Sequence, residues 1–401
     1  MRVHPAIIWA LGLTQIAGYG TLYYSFSVVA PAIGHEYGWS QEWVFGALSA
    51  ALLAGGLLAP LAGHLFDRFG AARMMAFGSA AAAITLALAA LAPNGPLFAA
   101  ALIAMEITST LVLYAAAFAA LVELGGASAQ RSITHLTLIA GFASTIFWPL
   151  TMLLSDTLTW REIYFVFAGI NLLICLPLHA WIAAQTKAHH AKPAPTTNTA
   201  APIVGSLPTQ RRSVGLALLL GGFAIEGFLL SGVLMQIIPL INALGLAAST
   251  VLITTLFGPA QVLSRFVNML FGRGLRATHL AVIASALLPA GILVLATTAP
   301  SIPGAILFAV LFGLGSGLTS IVSGSLPLEL YGRERYGARL SSARQIASAL
   351  APFGLALLIG ATGTSSALIM CVVLGAVSIG AFAWVALMAR PVSPVLETVT
   401  P

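Results

Sequence analysis

Long apolar stretches alternate with short polar segments along almost the whole chain. Each stretch has about 20 residues or more, the length that a helix needs to cross the hydrocarbon core of a bilayer. Six stretches precede a polar segment near the middle of the chain, and six follow it. They cover residues 5–30, 41–62, 72–92, 97–121, 132–154, 163–184, 213–241, 248–271, 278–298, 303–326, 339–361 and 365–389. The pattern predicts an all-α polytopic membrane protein with twelve transmembrane helices.

The central polar segment, residues 185–212, divides the chain into two parts of similar length. Its content of Pro, Ala and Thr favours an extended linker. We therefore expect an N-terminal six-helix bundle over residues 1–184, a cytoplasmic linker over residues 185–212, and a C-terminal six-helix bundle over residues 213–401. Paired repeats of this kind are common among secondary transporters.

Charge narrows the class of protein. Only 7% of the 401 residues are charged, against about 25% in an average soluble domain, which excludes a soluble enzyme and a disordered regulator. The net charge of +6 comes from Lys and Arg residues that stand singly between apolar stretches. A nucleic-acid surface gathers such residues onto one face, so we expect no nucleic-acid partner.

The placement of the basic residues also predicts the orientation in the membrane. Of the 17 Lys and Arg residues, fourteen lie in segments on the same side as the N-terminus. Arg161 lies on the other side, and Arg265 and Arg344 fall inside predicted helices. Lys and Arg accumulate in cytoplasmic loops. We expect a multi-pass protein of an inner (plasma) membrane, with both termini in the cytoplasm and the lipid bilayer as its surroundings.

The segment between the second and third predicted helices reads GHLFDRFGAAR. Gly63 and Gly70 permit a tight turn and close backbone approach. Asp67 offers an acceptor for a helix N-terminus or an arginine, and Arg68 and Arg73 hold the segment on the cytoplasmic side. The minimal interpretation is a charged loop that fixes topology.

Together with Leu65, these residues resemble the signature loop of the major facilitator superfamily, Gly-x-Leu-x-Asp-Arg-x-Gly. Two alanines follow Gly70 where basic residues are usual, and the corresponding loop at residues 272–276 lacks the aspartate. The resemblance extends to the layout of six plus six helices with a central linker. It implies the major facilitator fold and transport by alternating access. It also implies that Asp67 and its neighbours form a cytoplasmic gate.

A less specific resemblance is to the monocarboxylate and oxalate–formate branch of the same superfamily. It depends on Gly18-Tyr19-Gly20 through Tyr24 in the first helix, on Gly38-Trp39-Ser40 before the second, and on an arginine in the eighth. It implies a small organic anion as the substrate.

One polar stripe interrupts the otherwise apolar eighth predicted helix. Gln261, Arg265 and Asn268 recur at helical spacing and share one side of that helix. A charge near the bilayer centre costs roughly 2.5–3.5 kcal/mol, so an arginine retained there indicates a function. Its forked guanidinium can bind a carboxylate or phosphate through two hydrogen bonds. We expect these residues to bind the substrate; the alternative is a structural ion pair between Arg265 and Glu226 on the adjacent helix.

A second polar stripe, on the eleventh predicted helix, contains Arg344 and Gln345. The helix begins near residue 339, so Arg344 lies about one and a half turns inside it. Its side chain can reach a central substrate or extend to the cytoplasmic interface as an anchor, and both interpretations stay open. We include both residues in the predicted substrate site.

Two glutamates, Glu106 and Glu226, fall inside the fourth and seventh predicted helices. A carboxyl group deprived of water can take up and release a proton near neutral pH. We expect these residues to couple transport to protons. The alternative is a permanently protonated side chain for Glu106, and a structural partner of Arg265 for Glu226.

The first predicted helix presents Gln15, Tyr19 and Tyr23 on one side, and Tyr114 follows Glu106 on the fourth. Hydroxyl and amide groups can orient an anion without adding charge. We add these four residues to the substrate site. The alternative is helix packing or, for Tyr23, an aromatic belt at the membrane interface.

These observations predict a secondary active transporter that moves a small organic anion, a monocarboxylate, by proton symport and functions as a monomer. The alternatives are proton-coupled efflux of drugs or metabolites, a membrane-embedded enzyme, and a sensor that binds without transporting. The sequence contains no Gly-x-x-x-x-Gly-Lys phosphate loop and no converging catalytic or metal-ligating residues. We therefore expect no enzymatic activity, no metal and no cofactor besides the coupling proton.

Overall fold

The computed structural model describes residues 3–125, 129–189, 206–331 and 336–389. Most of the predicted linker, residues 190–205, lies outside the described residues, so the proposed domain division stays a prediction. We call residues 3–189 the first half and residues 206–389 the second half. The regular secondary structure of the described ranges is entirely helical.

The described part of the first half contains ten α-helices. They are α1 (Pro5–Tyr19), α2 (Phe26–Tyr37), α3 (Gln41–Phe69), α4 (Ala71–Leu91), α5 (Gly95–Ser109), α6 (Tyr114–Gly125), α7 (Ala129–Ala140), α8 (Ala143–Ser155), α9 (Trp160–Ile170) and α10 (Leu176–His189). Polar residues start several of them. Asn94 Oδ1 accepts a hydrogen bond from the Leu97 amide at the start of α5, and Thr159 and Glu162 form a capping box on α9.

The described part of the second half contains seven more α-helices. They are α11 (Arg212–Met235), α12 (Ile237–Ala243), α13 (Thr250–Phe271), α14 (Ala277–Thr298), α15 (Ile302–Tyr331), α16 (Tyr336–Thr362) and α17 (Thr364–Met388).

Eleven of the described helical segments are long and apolar enough to cross a membrane. The remaining predicted span is the first, which is divided because a π-helical turn at Gly20–Tyr24 separates α1 from α2. The structure also corrects the predicted loop between the second and third spans. Helix α3 continues through Asp67 to Phe69, and the turn is confined to Gly70, whose φ of +88° favours glycine. Helix α10 likewise extends into the predicted linker.

Several spans of the first half are interrupted near their middle. Besides the π-helical turn in the first span, a second one at Asn171–Cys175 joins α9 to α10. Residues 110–113 separate α5 from α6, and residues 141–142 separate α7 from α8. Such interruptions free backbone groups from the helix ladder, and in transporters they mark binding sites.

The two halves repeat one structural device at the end of the molecule that carries Asp67, which we call the Asp67 end. Glu123 Oε1 accepts a hydrogen bond of 2.7 Å from the Ala71 amide at the start of α4. Glu329 Oε2 accepts one of 2.6 Å from the Ala277 amide at the start of α14. In both cases the acid follows the amide by 52 residues. A carboxylate therefore compensates the helix N-terminus in each half, although the signature aspartate is present only in the first.

The halves are joined mainly towards the opposite end, which carries Arg161 and which we call the Arg161 end. Gln41 Nε2 donates to Gln236 Oε1 at 3.1 Å, and Gln236 Nε2 donates to the Pro352 carbonyl at 2.7 Å. The Phe353 amide donates to Ser49 Oγ at 3.0 Å. Neutral hydrogen bonds thus close this end between α3 of the first half and α11–α12 and α16 of the second.

Apolar packing strengthens the same closure. Trp148 of α8 is fully buried in a cluster otherwise composed of second-half residues, and its ring lies against Phe257 with a centroid distance of 5.9 Å. Met235 and Ala356 of the second half enter a cluster that otherwise belongs to the first. At the opposite end Asp67 is exposed. The described contacts between the halves therefore favour a state that is closed at the Arg161 end.

We expect Gln236→Leu to loosen the Arg161 end, because the substitution removes the hydrogen bond that joins Gln236 of the second half to Gln41 of the first. One such bond is worth about 1 kcal/mol, so the open population should rise roughly fivefold. The measurement is the labelling rate of Ser231→Cys by a membrane-impermeant maleimide added from the Arg161 side.

The control is Asn242→Leu, because Asn242 Oδ1 accepts its hydrogen bond from Thr250 within the second half. Both variants are made with Cys175 and Cys371 replaced by alanine. Equal labelling rates for the Gln236→Leu and Asn242→Leu proteins would show that the glutamine pair does not hold this end closed.

Candidate functional site

Arg265 lies on α13 at the contact between the two halves and is 7% exposed. Its Nη1 donates to the Thr137 carbonyl of the first half at 2.7 Å, and its Nη2 donates to Ser320 Oγ of α15 at 3.0 Å. Its Nε has no hydrogen-bond partner. A guanidinium has five N–H donors, so donors remain available beyond these two bonds, the Nε–H among them, and both hydrogen-bond acceptors are neutral oxygens.

An aromatic cluster faces Arg265 from the first half. Tyr19, Tyr23 and Tyr24 come from the first span and Tyr114 from the start of α6, and neighbouring rings have centroid distances of 4.7–6.3 Å. The π-helical turn rotates the chain between Tyr19 and Tyr24, so that three tyrosines of one span meet. Trp148 extends the cluster, with its ring 5.1 Å from that of Tyr24.

The tyrosines meet charged groups at two places. The Tyr114 hydroxyl lies within hydrogen-bonding reach of Arg265, whose charge also acts on Tyr24. Tyr23 lies against Ser231 of α11 and within the field of Arg344 and Glu106. The aromatic cluster therefore spans the space between the two membrane arginines.

Glu106 lies in the last turn of α5, just before the break at residues 110–113, and is 4% exposed. Its Oε2 accepts a hydrogen bond of 3.2 Å from Ser109 Oγ, while its Oε1 has no partner. The backbone at this point packs closely on α3, where a Cβ added at Gly55 would lie 2.8 Å from the Glu106 carbonyl oxygen. The carboxyl group is thus dry and only half satisfied.

Glu226 on α11 is 1% exposed, and neither of its carboxyl oxygens has a hydrogen-bond partner. The sequence left open an ion pair between Glu226 and Arg265, and the structure does not contain it. The charge that acts on Glu226 is that of Arg344, whose side chain packs on Gly227 next in the chain. The two arginines therefore differ: Arg344 faces an acid, whereas the described hydrogen-bond partners of Arg265 are neutral.

Gln15 stabilises the break in the fourth span rather than facing an open space. It is fully buried, and its Nε2 donates to the Val112 carbonyl at 2.7 Å. The carbonyl of Val112 lies in the interrupted segment, so the amide replaces a partner that the helix ladder lacks. Gln15 Oε1 has no partner.

Three other predicted residues are placed away from the aromatic cluster. Gln261 Nε2 donates to Ser316 Oγ of α15 at 2.8 Å, which commits it to helix packing. Asn268 folds over the backbone of Gly272 at the end of α13. Gln345 is exposed, next to the half-buried Arg344.

The predicted gate residues lie together at the Asp67 end. Asp67, Arg68 and Arg73 are exposed, Gly63 is partly buried, and Gly70 forms the turn between α3 and α4. The Arg68 guanidinium lies 5.1 Å from the centroid of the Phe69 ring. The motif is therefore accessible at the end of the molecule opposite the closure.

The structure adds residues that the sequence did not single out. Thr137 and Ser320 accept hydrogen bonds from Arg265. Trp148 packs on both Tyr24 and Phe257 and so connects the aromatic cluster to the second half. A separate polar centre binds three spans of the first half: His179 Nδ1 lies 2.8 Å from Ser79 Oγ, and its Nε2 lies 2.9 Å from Thr14 Oγ1. Serine and threonine inside apolar helices gave no periodic signal, so only the tertiary contacts identify them.

The described residues contain no group of three or more His, Cys, Asp or Glu side chains that could hold a metal ion.

The sequence matches the family model described as Major Facilitator Superfamily over residues 11–353. The chain belongs to the major facilitator superfamily. It is therefore a multi-pass membrane transporter of small molecules rather than an enzyme, and the expected fold and the family resemblance are confirmed.

Solved structures agree with this family. The crystal structure of the human organic anion transporter MFSD10 (TETRAN) is similar with a TM-score of 0.61, at 15% sequence identity, over 94% of this chain and 98% of that one. No curated protein sequence matches the chain. At this identity the likeness shows the major facilitator fold alone.

We expect Gln15→Leu to destabilise this major facilitator protein, because it leaves the buried Val112 carbonyl in the helix break without a donor. An unsatisfied buried group costs about 1–3 kcal/mol. The measurement is the Tm of the purified protein in detergent.

Gln185→Leu is the control, since Gln185 is exposed on α10. If the Gln15→Leu protein melted at the same temperature as the Gln185→Leu protein, the amide would not support the break.

Proposed function

We propose that this transporter moves a small monocarboxylate and that Arg265 binds its carboxylate. The observation that carries the proposal is a buried guanidinium, held only by neutral oxygens, between the two halves. A buried charge is costly without a counter-charge, and a carboxylate supplies one together with acceptors for the uncommitted N–H groups. The organic anion transporter of similar fold is in keeping with an anionic substrate.

A single negative charge fits the balance of charges around the aromatic cluster. Arg344 faces Glu226, so its charge is already opposed within the second half. Arg265 has no acidic neighbour among its hydrogen-bond partners. The substrate that balances this arrangement is a monoanion, with Tyr114 and Tyr23 contributing hydroxyl groups beside it.

Proton symport follows from the two dry carboxyl groups. Glu106 has an unpartnered oxygen, and a carboxylate ion in such surroundings is costly, so its side chain holds a proton until water or a cation reaches it. Glu226 is ionised while Arg344 faces it and takes up a proton when the movement of the halves separates the two side chains. One of the two carboxyl groups lies in each half of the transporter. Rearrangement of the halves changes their surroundings, and this change couples proton release to substrate movement.

The proposal includes the membrane orientation. By sequence, fourteen of the 17 basic residues fall in segments on the same side of the predicted spans as Asp67. The positive-inside rule supports a cytoplasmic location for that side. The closure at the Arg161 end then corresponds to a state facing the cytoplasm. We propose that the protein works in this orientation in the inner membrane, as a monomer.

We expect Arg265→Ala to lower saturable monocarboxylate uptake by at least about tenfold, because it removes charge-assisted hydrogen bonds to the carboxylate. The measurement is the uptake of radiolabelled acetate, lactate and benzoate by proteoliposomes that contain the purified protein, under an imposed pH gradient.

The control is Arg211→Ala, which removes an exposed arginine before α11. Uptake by the Arg265→Ala protein at the level of the Arg211→Ala protein would refute the assigned role. If the wild-type protein takes up none of the three acids saturably, the monocarboxylate assignment itself fails.

We expect Glu106→Gln and Glu226→Gln to separate substrate movement from proton movement. Each variant should retain exchange of labelled for unlabelled substrate and lose accumulation driven by a pH gradient, because the amide cannot carry the proton. Asp156→Asn, at an exposed carboxylate, is the control. Gradient-driven accumulation by both glutamine variants at the control level would exclude these residues from coupling.

A further inference from the structure

The aromatic cluster lies at the contact between the two halves and is nevertheless not fully buried. Each of its four tyrosines is partly exposed, although the residues around them in the first span, such as Gly18, Gly20 and Leu22, are buried. In a protein interior, partial exposure means that part of each ring faces open space rather than another side chain.

That open space lies between the two halves and not towards lipid. Tyr23 contacts Ser231 of the second half, and Tyr24 and Tyr114 lie in the field of Arg265, also of the second half. Trp9 shows the contrast, because it belongs to the same span, lies on the outside and is 66% exposed. The rings thus line a space that ends at a guanidinium.

The chemistry of this surface selects for shape as well as charge. Aromatic rings present negative faces and positive edges, so they bind another aromatic ring through offset or edge-to-face contacts more strongly than a saturated group of equal area. The existing pairs use these geometries: Tyr23 and Tyr24 meet at 85°, and Tyr24 and Trp148 meet at 68°. A flat ring that enters the open space can extend the same arrangement.

We propose that the substrate is an aromatic monocarboxylate, whose ring packs on Tyr19, Tyr23, Tyr24 and Tyr114 while its carboxylate binds Arg265. The inference rests on the proposed function, since it names the substrate class of that same site. Tyr19 is the residue that determines specificity, because its ring contacts each of the other three tyrosines.

The test compares two acids of nearly equal size and one negative charge, benzoate and cyclohexanecarboxylate. Each competes with radiolabelled benzoate for uptake into proteoliposomes that contain the full-length protein. A ring–ring contact adds roughly a twofold to tenfold preference beyond burial, so benzoate should compete at a correspondingly lower concentration. A second readout, the rise in Tm of the detergent-solubilised protein with each acid, reports binding without transport.

Variants at Tyr19 identify the cause of the preference. Tyr19→Phe keeps the ring and should keep the preference, whereas Tyr19→Leu removes the ring and should bring the two acids to equal potency. Trp9→Leu is the matched control for loss of an aromatic ring from the same helix, and it should behave as the wild type.

The outcomes separate this inference from the proposed function. Equal potency of the two acids with the wild-type protein overturns the aromatic inference, while saturable uptake of any monocarboxylate leaves the proposed function intact. A preference that survives in the Tyr19→Leu protein also overturns the role of the cluster. If the Tyr19→Leu protein fails to fold, the wild-type protein still tests the aromatic preference. Its competition and Tm measurements with the two acids support or refute that preference by themselves.

Discussion

An arginine held only by neutral oxygens is the constraint on which the rest of the site depends. Arg265 brings a positive charge into the contact between the two halves, and the Thr137 carbonyl and Ser320 hydroxyl provide dipoles instead of a counter-charge. The low dielectric of this interior makes the unbalanced charge costly. In the proposed function, the carboxylate of the substrate supplies the missing counter-charge.

The surroundings of Arg265 depend on helices that are not continuous. The π-helical turn in the first span gathers three tyrosines, and the break in the fourth span separates Glu106 from Tyr114. Gln15, in α1 before the π-helical turn, bonds to the Val112 carbonyl and so fixes the first span to the break in the fourth. Regular helices would hold these groups around separate helix axes. The interruptions bring them together so that they line one space between the halves.

Much of the fold could be predicted from the sequence, because the membrane imposes one strong periodic signal. Apolar length located the spans, and the residues around Asp67 identified the family. The interruptions could not be predicted, since a π-helical turn has nearly the same composition as the helix around it. The sequence also placed Gln261 and Asn268 beside Arg265 on one stripe. In the structure, however, Gln261 bonds to Ser316 and Asn268 packs on Gly272. Helical spacing tells which residues share a side and not what that side meets.

The sequence by itself determined the class of protein, its apolar spans and the four charged residues that lie inside them. Those properties follow from local chemistry, because apolar length and retained charge have the same meaning wherever the helices pack. Only the tertiary structure decided that Arg344 faces Glu226, that Arg265 bonds to neutral oxygens among the residues described, and that four tyrosines lie between the two arginines. These relations depend on contacts between distant parts of the chain, and packing rather than periodicity sets them.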